Sequence, residues 1–97
     1  MNWDDIRIFL GVARTGQILA AAKRLGLNHA TVARRLTALE DSLGTRLFDR
    51  STSGCVLTDA GSRFFDRAES MEAAALQAEA DLGDAGPQQA ADQRVAA

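Results

Sequence analysis

The stretch Leu27–Leu43, LNHATVARRLTALEDSL, constrains the fold of this chain more than any other. Asn28 is a good helix N-cap, because its side-chain oxygen can accept from the free backbone donors of a first turn, and Gly44 stands where a left-handed C-terminal cap closes a helix. The spacing therefore predicts a helix over residues 29–43. At about 100° per residue, Val32, Leu36, Leu39 and Leu43 fall on one narrow stripe, while Ala30, Ala33, Arg34 and Thr37 fall on the opposite side. One face suits a core; the other is small, polar and cationic. Just upstream, Ile18–Leu25 reads as a short helix ending at Gly26, so the turn Gly26-Leu27-Asn28 joins two helices. That is the helix-turn-helix arrangement, whose second helix enters a DNA major groove N-terminus first.

A chain of 97 residues with 46% hydrophobic content has material for one small core and an appendage, and no room for a second, ligand-binding domain. No apolar run approaches the ~18 residues of a membrane span, and Asp4, Asp5 and Arg7 break any secretory signal pattern, so the chain reads as cytoplasmic with no membrane partner. A single cysteine, Cys55, can form no internal disulfide, in keeping with a reducing compartment. The formal net charge of −2 conceals an asymmetry: residues 1–58 hold eight Lys/Arg against five Asp/Glu, and residues 59–97 three against eight. A mildly cationic front half can meet phosphate while an acidic rear half points away.

In chain order, Trp3, Ile6, Phe9, Leu10 and Ala13 recur at helical spacing and predict a first amphipathic helix from about Trp3 to Arg14, supplying core and dimer surface. The second helix begins near Gln17, with Gln17-Ile18-Leu19 a poor cap. After Gly44 the period changes. Leu47–Arg50 and Cys55–Leu57 are strand-like pieces around the turn formers Ser51-Thr52-Ser53-Gly54, which predicts a β-hairpin wing over residues 47–57. Two strands alone are marginal in water, so Leu47, Phe48 and Leu57 must pack on the helices. Thr58 then caps a long helix with Asp59 in its first turn. On that helix Phe64, Ala68, Met71, Ala75, Ala78 and Leu82 follow one another at steps of four and three, a heptad seam that one projecting helix cannot bury alone. The expected organisation is a mainly α winged helix-turn-helix over residues 1–58, three helices plus the two-stranded wing. A long dimerising linker helix over 59–83 and a hinge or flexible tail over 84–97 follow.

The order AAKRLGLNHATVARRLTALEDSLGTRLFDR, followed by LTDAG, resembles the N-terminal DNA-binding domain of LysR-type transcriptional regulators. The resemblance runs from about Trp3 to Leu82. It rests on separate pieces in register: Ala21-Ala22 with Leu25, the LE-x-x-LG-x-x-LF-x-R run from Leu39 to Arg50, and Leu57-Thr58 with Ala60-Gly61. It implies a bacterial regulator of transcription that binds double-stranded DNA as a homodimer through antiparallel linker helices. A tetramer is implied in a full-length protein, and an effector ligand bound outside these residues, so the chain is expected to be a fragment of a longer regulator.

Arg34 is the first candidate for a base contact, since an Arg on the first turns of an inserted helix commonly donates to guanine. By resemblance His29, Ala30 and Ala33 occupy the other positions that approach bases, with His29 where Gln is common, Ala30 where Pro or Ser is, and Ala33 where Ser is. The expected phosphate contacts are Thr31, Arg35, Gln17 (where the family usually has Ser or Thr), and Arg50, Ser51 and Thr52 of the wing. The expected dimer residues are the heptad set together with Trp3, with Phe65 and Leu76 adding contacts to the first helix. Plainer readings stay open: Arg35 can lay its stem on the core, His29 can be solvated, and Lys23 and Arg24 can simply complement a helix dipole. Cys55 as a redox sensor has nothing nearby that guarantees a lowered pKa. With one His, one Cys and no Tyr there is no converging set for catalysis, a metal or a cofactor, so no enzyme is expected. The rival reading is a helical interaction module that binds protein through its basic face.

Overall fold

The computed structural model describes the backbone of residues 1–96 and the side chains of residues 1–83. The elements run α1 (Trp3–Thr15), α2 (Ile18–Leu25), α3 (His29–Leu43), β1 (Phe48–Ser51), β2 (Gly54–Leu57) and α4 (Asp59–Ala96). Each of the first three helices ends on a left-handed glycine, and α1 and α3 also begin on a side-chain cap, which α2 lacks. Asn2 and Asp5 form a reciprocal capping box at the start of α1, a cap that the apolar spacing alone does not announce. Asn28 Oδ1 accepts from the Ala30 amide at 2.8 Å and opens α3. Between α2 and α3, Gly26 takes a left-handed conformation at φ 68°, which only glycine adopts without strain, and the Leu27 amide donates back to the Ala22 carbonyl at 2.9 Å.

α1 is the central element and touches α2, α3, α4 and β2. A helix surrounded in this way buries more than one stripe, and Ile8 and Val12 join Ile6, Phe9 and Leu10 in the core although the expected face omits them. Phe9 is the hub: its ring lies 5.3 Å from Phe48, 4.7 Å edge-on to Phe64 and 6.5 Å from Phe65, centroid to centroid. Val32, Leu36 and Leu39 carry the buried stripe of α3, while Leu43, one turn further on, emerges from the core.

β1 and β2 pair antiparallel with Phe48 opposite Leu57 and Ser51 opposite Gly54. Leu47 and Phe48 are buried and Leu57 packs against the cluster, so the wing leans on the helices as two lone strands require. The hairpin is also tied to the end of α1, where the Cys55 amide donates to the Gly16 carbonyl at 2.9 Å. Gly54 sits so close there that a Cβ on it would lie 2.6 Å from the Gly16 oxygen. Thr58 opens α4 by donating to the Arg46 carbonyl at 2.6 Å and accepting from the Gly61 amide at 3.0 Å.

α4 departs from expectation in three respects. Phe64 packs on Phe9, and Ala68 is fully buried, so the first two positions of the expected dimer seam are used by the chain's own core. The four–three spacing does not distinguish a core-facing turn from a partner-facing one. Beyond them Met71 (39% exposed) and Leu82 (65%) lie open, with Ala78 exposed and Ala75 half-buried. Phe65 reaches α1 as expected, but Leu76 is exposed. The helical path also continues past Gly83 to Ala96; the hinge or tail expected over residues 84–97 lies outside the residues whose side chains are described.

Candidate nucleic-acid interface

With its apolar stripe buried, α3 turns the opposite face outward. His29, Ala30, Arg34, Thr37 and Ala38 are exposed and Ala33 is half-buried. Arg34 makes no hydrogen bond or ion pair among the described residues, so its guanidinium is available to a ligand. The alanines on either side keep the helix slim enough to approach a groove floor, and they present only methyl groups there.

The other cations sort by partner. Arg7 meets Asp4 at 3.4 Å, and Arg14 joins Glu72 at 2.6 Å and Glu69 at 3.3 Å. Lys23, Arg24, Arg46, Arg63 and Arg67 are exposed and have no acidic partner among the described residues. Arg35 is half-buried and lines a small cavity of about 120 Å³ with Asp4, Arg7, Ile8, Leu25 and Leu27. That placement matches the stem-on-core reading of Arg35 better than a phosphate contact.

Arg50 differs most from its expected role as a clamp on the DNA backbone. Its Nη2 lies 2.8 Å from Glu40 Oε1 and its Nη1 3.2 Å from Thr37 Oγ1, both on α3. Glu40, assigned no role in the sequence reading, turns its other oxygen to the wing. Oε2 accepts from the backbone amides of Leu47 at 2.7 Å and Phe48 at 3.2 Å. The Glu40 side chain is only 12% exposed and that of Arg50 28%. Arg50 Nε is buried without a hydrogen-bond partner, the one such side-chain atom among the described residues. A charge-assisted contact with Glu40 therefore decides where this guanidinium sits.

The wing turn and the start of α2 come together. Gln17, whose side chain forms no cap to its own helix, donates through Nε2 to the Ser53 carbonyl at 3.1 Å. Ser51 and Ser53 share a hydrogen bond of 2.9 Å between their hydroxyls, and Thr52 is exposed at the tip. The tip Ser51-Thr52-Ser53 thus offers hydroxyls and amides to a ligand, and no charge. Thr31, in the first turn of α3, is half-buried. Cys55 lies inside the wing's packing, where burial pushes its thiol up despite Arg50 nearby, so the thiolate that redox sensing needs is disfavoured. No group of acidic, His or Cys side chains suited to a metal ion occurs among the described residues.

Two helices joined by a tight turn, the second with a bare cationic face and flanked by a hairpin, make up a winged helix-turn-helix DNA-binding domain. The model of bacterial regulatory helix-turn-helix proteins of the lysR family matches residues 3–62, and the chain belongs to that family. It is 41% identical over 71 residues to the transcriptional regulator TfdS of Cupriavidus pinatubonensis, a match spanning 73% of this chain and 24% of TfdS. With ClcR of Pseudomonas putida the identity is 41% over 68 residues, 70% of this chain and 23% of ClcR. The chain therefore spans about a quarter of the length of these relatives. Among solved structures, the CbnR DNA-binding domain in complex with DNA superposes with a TM-score of 0.79 at 34% identity, covering 93% of this chain and 99% of that one. A full-length OxyR variant from Pseudomonas aeruginosa gives 0.79 at 29% identity, over 90% of this chain and 29% of the other. TfdS and ClcR are transcriptional regulators of the helix-turn-helix type.

Proposed function

We propose that the chain serves a cytoplasmic transcriptional regulator as its sequence-reading and dimerising segment. α3 lies in the major groove, Arg34 donates to a base, and His29, Ala30 and Ala33 line the base edges beside it. Thr31 and the hydroxyls of Ser51 and Thr52, with Gln17 behind them, meet phosphate, while Lys23, Arg24 and Arg46 supply positive charge around them. Residues 59–83 act as a linker helix that pairs with a second copy through Met71, Ala75, Ala78 and Leu82, with the exposed Trp3 added. In a protein of its relatives' length, two such dimers form a tetramer, and an effector binds outside these residues.

The observation that carries this reading is Arg34, without a partner among the described residues, on the small, exposed face of a helix whose other face gives Val32, Leu36 and Leu39 to the core. Retardation of duplex DNA in a gel at moderate salt tests it, followed by selection of the preferred site from random duplexes. An interaction module that binds only protein leaves every duplex unshifted.

A further inference from the structure

We propose that Glu40 is a positioning residue for DNA recognition, fastening the wing to the recognition helix and holding the Arg50 guanidinium back from phosphate. The inference rests on the reading that α3 occupies a groove with the wing beside it. Glu40 is in the last turns of α3, and both of its oxygens are spent on the wing: Oε2 on the Leu47 and Phe48 amides, Oε1 on Arg50. Thr37, one turn earlier on the same side of α3, adds a second contact to the same guanidinium. The start of β1 and a side chain within β1 are thus held by one carboxylate, which fixes the angle between helix and hairpin. The residue most naturally assigned to phosphate from its place in the wing is neutralised by a partner from the helix it would accompany.

The consequence for recognition follows from what phosphate contacts do. They add affinity equally on every sequence, whereas base contacts discriminate. A cation withheld from phosphate lowers non-specific binding, and a wing held at a fixed angle keeps its tip in register with Arg34. Together these raise the ratio of specific to non-specific affinity without any contact of Glu40 itself with DNA.

The test uses the whole chain and two probes, a duplex selected by this chain from a random pool and a shuffled duplex of the same composition. Affinity is measured for each between ~50 and ~200 mM salt. Glu40→Gln keeps an oxygen for the Leu47 and Phe48 amides but no longer attracts Arg50. It should bind the shuffled duplex more tightly than wild type, steepen the slope of log K against log salt by about one per bound copy, and narrow the gap between the duplexes. Arg50→Met should leave the wild-type slope unchanged, and the double variant should return the Glu40→Gln slope to the wild-type value. A merely structural Glu40 would instead weaken binding to both duplexes. The proposal is overturned if Arg50→Met flattens the slope by about one, since Arg50 would then already sit on phosphate, or if Glu40→Gln leaves slope and ratio as in wild type. Should Glu40→Gln fail to fold, the Arg50→Met slope decides alone. A wild-type chain that shifts no duplex removes the DNA-binding reading and this inference with it.

Discussion

Arg34 and Arg50 carry the same charge, the first expected at a base and the second at phosphate, and their surroundings give them opposite prospects. Arg34 projects from a face that offers it no partner among the described residues, and that exposure is legible in the sequence because the apolar stripe of α3 assigns the opposite face to solvent. The engagement of Arg50 is not legible. Its partner Glu40 lies ten residues away in a different element, and no periodicity links a helix to a following strand. The same limit hides the contact at Gly61, where a Cβ would run into the Leu47 carbonyl oxygen. The oxygen belongs to the backbone and a Cβ is fixed in place by its own backbone, so neither can swing aside. Gly61→Ala should therefore lower stability by about 1–3 kcal/mol, the usual size of overpacking. Urea denaturation followed by circular dichroism checks this, and an unchanged midpoint would mean that the two segments separate at little cost.

Among the elements, α1, α2, α3 and the hairpin are legible from apolar spacing and from the glycines and turn formers that end them, although α2 starts at Gln17 with no side-chain cap. α4 was readable as a helix but only partly in its use. Its heptad spacing is common to a seam facing a partner and a turn facing the core, and Phe64 and Ala68 proved to face the core. The exposed remainder gives a direct test of the proposed dimer: Met71→Glu should set like charges against each other across a two-fold axis and shift the chain towards monomer in analytical ultracentrifugation. An unchanged mass at micromolar concentration counts against the seam. α4 is also held to α1 by Arg14, which bridges Glu69 and Glu72. The hydrogen bond from Arg14 holds the Glu72 carboxyl below its ordinary value. A carboxyl with a lowered folded-state pKa stabilises the fold above its unfolded value and loses that effect as pH falls through the folded one. Glu72→Gln should accordingly melt slightly below wild type at pH 7, by an amount corresponding to roughly 0.2–1 kcal/mol for an exposed pair. The two melting curves should converge as pH drops below about 4.3, the ordinary Glu value. A gap that persists into acid would assign the effect to packing.

For the molecule as a whole, charge is distributed by position and by pairing. The acidic excess lies in residues 59–97, and the front half keeps Lys23, Arg24, Arg34 and Arg46 free of acidic partners among the described residues. An overall net charge of −2 is thereby compatible with phosphate binding. Composition alone conceals this, because it averages over both halves and does not register which cations are already neutralised. If the exposed face of α3 reads sequence, Arg34→Ala should show it when titrated against a duplex selected by the wild-type chain and against its shuffled counterpart. The loss on the selected duplex should be about 1–3 kcal/mol per half-site, with little change on the shuffled one, so that the specificity ratio falls. Equal losses on both duplexes would make Arg34 a phosphate contact and leave α3 without a base-reading side chain.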